Sequence, residues 1–153
     1  AAFQALPTDE RVKQLHGDAI AALQAGRAQR PYAQVILIGK SIGTLTLAAL
    51  LSAGSVQGAL IIWLTPLLRQ PWVVDAALRA QNPALFVVGT ADHTYDPAAM
   101  ARIRQSSRAE VISVEGGDHR LEVEGDIYRS LRAMEDILRG IERFVARHSV
   151  DRK

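Results

Sequence analysis

Apolar residues recur along this chain in two alternating rhythms: stretches spaced at three and four residues, and short unbroken runs. From Thr8 to Ala28 the positions Val12, Leu15, Ala19, Ala22 and Leu23 follow the first rhythm behind a Pro7-Thr8 opening, which predicts a helix ending at Gly26. Pro31 breaks the pattern, and the β-branched run from Gln34 to Ile38, bounded by Gly39, predicts a strand buried on both faces. Helical spacing returns over residues 42–53 with Leu45, Leu47, Ala48 and Leu51, and Gly54 stands where a C-terminal cap belongs. Ala59 to Leu64 reads as a second strand, Val73 to Ala80 as a short helix closed by Asn82-Pro83, and Ala84 to Val88 as a third strand. Asp96-Pro97 opens a helix reaching about Ser106, and Glu110 to Val114 is a fourth strand stopped by Gly116-Gly117. The last helix runs from an Asp126 cap to Arg147. Its Ile127, Leu131, Met134, Leu138, Ile141 and Val145 form one stripe, expected to pack in the core.

Strands alternating with helices of this length imply right-handed crossovers and a mostly parallel sheet between helical layers. The expected class is therefore α/β, a three-layer α/β/α sandwich. No internal repeat divides the sequence, so one domain is expected over residues 1–153.

Composition narrows the function. Hydrophobic residues make up 48% and charged residues 22%, too apolar a balance for a disordered chain. Lys and Arg total 18 against 16 acids, and the cations are scattered, so no basic stripe suits a nucleic-acid backbone. The longest apolar run is far below the roughly 20 residues of a membrane helix, and the N-terminus reads as free of a secretion leader. Cysteine is absent, which excludes a thiolate nucleophile or a disulfide framework and fits a reducing cytoplasm. Neither nucleic acid nor membrane is expected as a partner.

Ligands of parallel sheets bind beyond the C-terminal ends of the strands, where the chemistry of this chain collects. Gly39-Lys40-Ser41-Ile42-Gly43 follows the first strand, Gly89-Thr90-Ala91-Asp92 the third, and Gly116-Gly117-Asp118-His119 the fourth. A serine hydroxyl needs an adjacent base, imidazole has a suitable pKa, and a carboxylate on its other nitrogen fixes the tautomer. Ser41, His119 and Asp92 are thus the candidate nucleophile, base and orienting acid, in the chain order of a nucleophile-elbow hydrolase. Gly39 and Gly43 are expected to give the elbow its close packing, and the Ile42 N–H to be the first oxyanion donor.

Rival readings of these residues are weaker. Gly39-Lys40-Ser41 could close a phosphate-binding loop, but that motif needs glycine where Gln34 stands, and a strand fills the interval. Asp96 is expected to cap a helix and Asp118 to shape a turn. Lys40 is either a surface charge or a contact for an anionic substrate. The loop holding Thr65, Leu67, Leu68 and Trp72 either walls a substrate pocket or covers the core, and His93 could line the same pocket. His16 and His148 are expected to face solvent. No two histidines share a helix at ligand spacing, so no metal site is expected.

With these residues in place the sequence resembles the α/β-hydrolase superfamily. The stretches Ile38 to Thr44, Trp63 to Leu68, Val88 to Asp92 and Glu115 to His119 are similar to small bacterial hydrolases of the dienelactone-hydrolase-like branch, over about residues 8–148. The resemblance implies a serine esterase or thioesterase acting on a small-molecule acyl substrate, with no cofactor. It also implies a strand and a glycine-rich oxyanion loop well before the elbow, and residues 1–34 supply neither. Residues 35–38 then become an apolar sheet edge, expected to be covered by an upstream segment, the more so as the sequence lacks an initiating Met, or by a second copy in a homodimer. The alternative function is a non-catalytic binding or interaction protein with an incomplete oxyanion hole.

Overall fold

A computed structural model describes residues 5–149. The elements in chain order are α1 (Thr8–Gln29), β1 (Ile36–Lys40), α2 (Gly43–Ser52), β2 (Leu60–Leu64), α3 (Pro71–Arg79), β3 (Ala84–Gly89), α4 (Pro97–Arg104), β4 (Ala109–Val114) and α5 (Ile127–His148). The four strands form one sheet in the order β1-β2-β3-β4. Every pair is parallel, with Ile36 opposite Leu60, Ile61 opposite Ala84, and Ala84 opposite Ala109. The α/β class and the parallel sheet are as the sequence implies. Among the described residues no helix is long and apolar enough to cross a membrane.

Element ends follow local chemistry. Helix α1 runs through Gly26 to Gln29 and stops at Arg30, whose extended backbone (φ −169°, ψ 158°) is what the proline at 31 imposes on its predecessor. Gly26 is tolerated inside the helix and does not end it. Helix α2 ends as expected, with Gly54 at φ 68° while Gly54 N–H donates to Leu51 O at 3.0 Å and Ser55 N–H to Leu50 O at 3.1 Å, a Schellman closure. Asp96 caps α4 by accepting from Ala98 and Ala99 N–H, and Asp126 caps α5 by accepting from Arg129 N–H.

The sheet has two unlike faces. On one, α1, α2, α3 and α4 pack together over Ile61, Trp63, Phe86 and Val88, with Trp63 and Phe86 stacked at 5.5 Å. On the other, α5 covers Leu60, Ile62, Leu85 and Val87 through Ile137 and Phe144, joined by Leu121 and Val123 from the loop before it. Strand β3 is buried throughout, whereas β1, paired on one side only, leaves Ile36 39% and Ile38 59% exposed. The expectation that the first strand is buried on both faces therefore fails, because nothing described covers β1 on the α5 side.

The stripe expected on α5 lies only partly in the core. Ile141 and Val145 pack against the cluster around Ile137 and Phe144, whereas Ile127, Leu131, Met134 and Leu138 are 45–65% exposed, and the helix also buries Ile137, Gly140 and Phe144. Helix α5 thus has an inward and an outward apolar face. Close approach selects the buried one, since a Cβ on Gly140 would collide with Ile112 Cδ1. His148 is likewise half-buried, its ring 4.9 Å from Phe144 and its Nε2 3.1 Å from Glu110 Oε1, and His16 Nε2 is shielded from solvent, so neither histidine simply faces water.

Phe144→Ala should cost about 3–5 kcal/mol by emptying a fully buried site. Leu131→Gln, on the outward stripe of the same helix, should change stability by less than about 0.5 kcal/mol. Urea unfolding of the two variants at neutral pH checks the contrast, and equal losses would contradict the assigned face.

Candidate active site

The parallel ladder carries the ends of β1, β3 and β4 to one rim of the sheet, and three loops start there. Ser41, directly after β1, adopts the left-handed backbone conformation (φ 51°), which costs a non-glycine residue on the order of 1 kcal/mol or more. Several bonds hold it. Ser41 N–H donates to Leu64 O at 3.0 Å, and Ser41 O accepts from Thr44 N–H at 2.9 Å and from Thr44 Oγ1 at 2.6 Å. The tight turn brings α2 against β1, where a Cβ on Gly39 would lie 2.6 Å from Leu47 Cδ1 and 2.8 Å from Gly43 O. Gly39 is thus required by packing. Gly43 is not, contrary to expectation: a Cβ there points into open space. Ile42 is the N-cap of α2, so its N–H lies at the helix end where backbone donors have no intrahelical acceptor and the helix dipole is positive.

The loops after β3 and β4 are stitched together. Ala91 N–H donates to Gly117 O at 2.9 Å and Gly116 N–H to Thr90 Oγ1 at 2.8 Å, and the close approach leaves no room for a side chain on Gly89. They deliver Asp92 and His119 to the elbow. His119 Nε2 is 2.7 Å from Ser41 Oγ, and His119 Nδ1 is 2.9 Å from Asp92 Oδ2. With the carboxylate accepting from Nδ1–H, the Nε2 lone pair faces the serine hydroxyl. The three residues singled out from the sequence form one unbroken chain of hydrogen bonds.

Asp92 is the buried end of that chain, its side chain only 3% exposed. Burial pushes its pKa up. Hydrogen bonds from Thr94 N–H (2.7 Å), His119 and the Thr94 hydroxyl (2.9 Å), together with the charge His119 can carry, outweigh burial and hold the carboxyl below its ordinary 3.8. Thr94 is a residue that sequence reasoning missed. Its signal was the Asp-x-Thr spacing, which lets an aspartate accept from the N–H two residues on.

Lys40 is exposed, as a surface charge would be, and it also makes a structural tie. Its Nζ donates to His119 O at 2.9 Å and to Thr65 Oγ1 at 3.3 Å, tying the histidine loop to the end of β1. The expected pocket loop mostly covers the core. Thr65 is 1% and Leu68 3% exposed, Leu67 packs against the same cluster, and Leu67 N–H donates to Thr44 Oγ1 at 3.3 Å. Of the proposed pocket residues Lys40, Trp72 and His93 stand open to solvent, and cavities of about 470 and 530 Å³ lie elsewhere, the second along α5. Asp118 shapes its turn as expected, accepting from Arg120 and Glu122 N–H. For a metal, the donors of Asp92, His93 and His119 converge within 4.8 Å of one another, a grouping made by two loops and therefore invisible to helix spacing.

Ser41 thus sits on a strained strand-to-helix turn of a parallel α/β sheet, hydrogen-bonded to His119. Solved structures agree on the fold. The esterase domain of a Rhodothermus marinus protein superposes with a TM-score of 0.59 at 19% identity, covering 84% of this chain and 68% of that one. A structure described as a predicted CIB-like hydrolase from Thermoplasma acidophilum superposes with a TM-score of 0.59 at 20% identity, covering 84% of this chain and 60% of the other. No protein-family model matches the chain, and no curated protein matches it either.

Because the folded pKa of Asp92 is depressed, its contribution to stability is present above the unfolded value of about 3.8 and is lost as pH falls from there through the folded pKa. Wild-type protein should therefore lose stability below that pH more steeply than Asp92→Asn. Urea midpoints measured from pH 6 down to pH 2.5 check this, and parallel curves would refute it.

Proposed function

We propose that the protein is a serine hydrolase that cleaves an ester, thioester or related acyl bond of a small molecule. The observation that carries this reading is the continuous Ser41–His119–Asp92 hydrogen-bond chain, built on a left-handed Ser41 at a strand-to-helix turn. Ser41 Oγ attacks the acyl carbon while His119 Nε2 takes its proton. The tetrahedral oxyanion is received by the Ile42 N–H, and the leaving group departs with the proton from His119. Water, deprotonated by the same nitrogen, then frees the acyl group from Ser41. Asp92 keeps Nδ1 protonated throughout, and Lys40 positions His119 through its carbonyl.

A single oxyanion donor is half of a site, since removing one typically lowers the rate on the order of 100-fold. The topology supports one source for a second. Helices α2, α3 and α4 each link neighbouring parallel strands across the same face, and α1 lies on that face beside α2, immediately before β1. Crossovers of parallel strands keep one hand, so a strand leading into α1 belongs beyond the free edge of β1. We propose that polypeptide upstream of α1 extends the sheet there and brings the second donor to Ser41. The exposed Ile36 and Ile38 lie on the strand edge that such an extension would pair with. The alternative, a non-catalytic binding protein, is favoured by the same half-built oxyanion site.

A fluorophosphonate probe separates the two readings. It should label wild-type protein and leave Ser41→Ala unlabelled, whereas equal or absent labelling of both would reject the hydrolase. p-Nitrophenyl acetate turnover should be weak in the 153-residue chain and strong in a chain extended upstream.

Sedimentation velocity tests the edge. The 153-residue chain should self-associate with rising concentration, and the extended chain should be a monomer. A discrete dimer of both would place a second copy on β1 instead, and a fully active monomer of the short chain would refute the extension.

A further inference from the structure

We propose that Asp92, His93 and His119 form a zinc-binding site whose occupation switches off Ser41. One nitrogen from each imidazole and one carboxylate oxygen lie within 4.8 Å of one another. Tetrahedral zinc with bonds near 2.0–2.1 Å holds its ligands roughly 3.4 Å apart. Each ring nitrogen lies beside a different oxygen of one carboxylate, His119 Nδ1 at 2.9 Å from Asp92 Oδ2 and His93 Nδ1 at 3.5 Å from Asp92 Oδ1, so small side-chain rotations draw the donors in around an ion. The two rings stand 5.0 Å apart and tilted by 52°, leaving both Nδ1 atoms beside the carboxylate.

The donors suit zinc and the surroundings are those of a built site. Two imidazoles and a carboxylate form a ligand set typical of this ion, with the fourth position left for water. Thr94 fixes the carboxylate through two hydrogen bonds, the outer-shell support that orients a ligand. The loops carrying residues 92–93 and 119 are joined by backbone bonds, so the ligands need no assembly. The His93 side chain is 79% exposed, which gives the ion an entry path, and the hydrolytic steps leave His93 without a task.

Occupation would silence the serine through a tautomer. Zinc takes the lone pair at His119 Nδ1, so the proton of the neutral imidazole moves to Nε2. That nitrogen then donates toward Ser41 Oγ and cannot accept its proton. Zinc would also break the Asp92–His119 hydrogen bond that orients the ring. This consequence rests on the proposed hydrolase function, whereas metal binding itself does not.

Calorimetric titration with zinc chloride, supported by competition against a chromophoric chelator, tests the site. One zinc per chain should bind with micromolar affinity, His93→Gln should weaken it about tenfold or more, and His148→Gln should leave it unchanged. Cobalt(II) should give the intense visible bands of a tetrahedral site in wild type and lose them in His93→Gln. Fluorophosphonate labelling of Ser41 should slow in proportion to zinc bound and recover with EDTA. Unaltered affinity in His93→Gln, or loss of binding in His148→Gln, overturns the proposal, and circular dichroism confirms that each variant is folded. Labelling without zinc binding would reject the metal site alone. Zinc binding without labelling would reject the hydrolase reading alone.

Discussion

The parallel pairing of four strands in sequential order is the constraint on which everything else rests. Because β1, β3 and β4 point the same way and keep register, their loops leave the sheet at one rim, and residues separated by 78 positions, Ser41 and His119, meet at 2.7 Å. The register also decides which face each side chain occupies. Ile36 and Ile38 fall on the side of Leu60 and Ile62, beyond the reach of α5, while Leu37 joins the core on the other side. One ladder thus produces both the hydrogen-bonded site and the exposed edge.

His119 is held from two directions, and this gives the site its precision. Asp92 fixes the ring through Nδ1, and Lys40 fixes the backbone through the carbonyl, so rotation and translation are restrained by separate groups. Each restraint is itself anchored. Asp92 is oriented by Thr94, and Lys40 is the last residue of β1, immediately before the elbow. Ser41 and His119 are therefore referenced to the same strand, and a shift of the β4 loop away from β1 has to break a charge-assisted hydrogen bond to occur.

The sequence disclosed the central parts of this arrangement because their signals are local. Runs ending in glycine marked β1, β3 and β4, and a serine, an acid and a histidine directly behind those runs marked the rim. What stayed hidden depends on the third dimension. Lys40 gave no hint of reaching His119, 79 residues away. Gly39 and Gly43 look equivalent in the motif, yet only Gly39 meets a neighbouring side chain. Thr65 and Leu68 looked like pocket residues until the loop proved to be folded onto the core. Periodicity misassigned α5 for a further reason. It measures how apolar positions are spaced, and the exposed Ile127 to Leu138 share the spacing of the packed Ile141 and Val145, so only the width of sheet beneath the helix tells which positions are covered.

That width links the fold to the chemistry. Among the described residues the sheet ends at β1, which leaves Ile36 and Ile38 in water on the strand that leads into Ser41. In the proposed hydrolase, polypeptide added beyond β1 would cover that apolar edge while placing backbone N–H groups opposite Ile42. Burial and oxyanion stabilisation are unrelated as forces, but in that proposal they act at one edge. The position of α1, already laid on the crossover face before β1, makes an added strand the continuation of a pattern that the next three helices repeat.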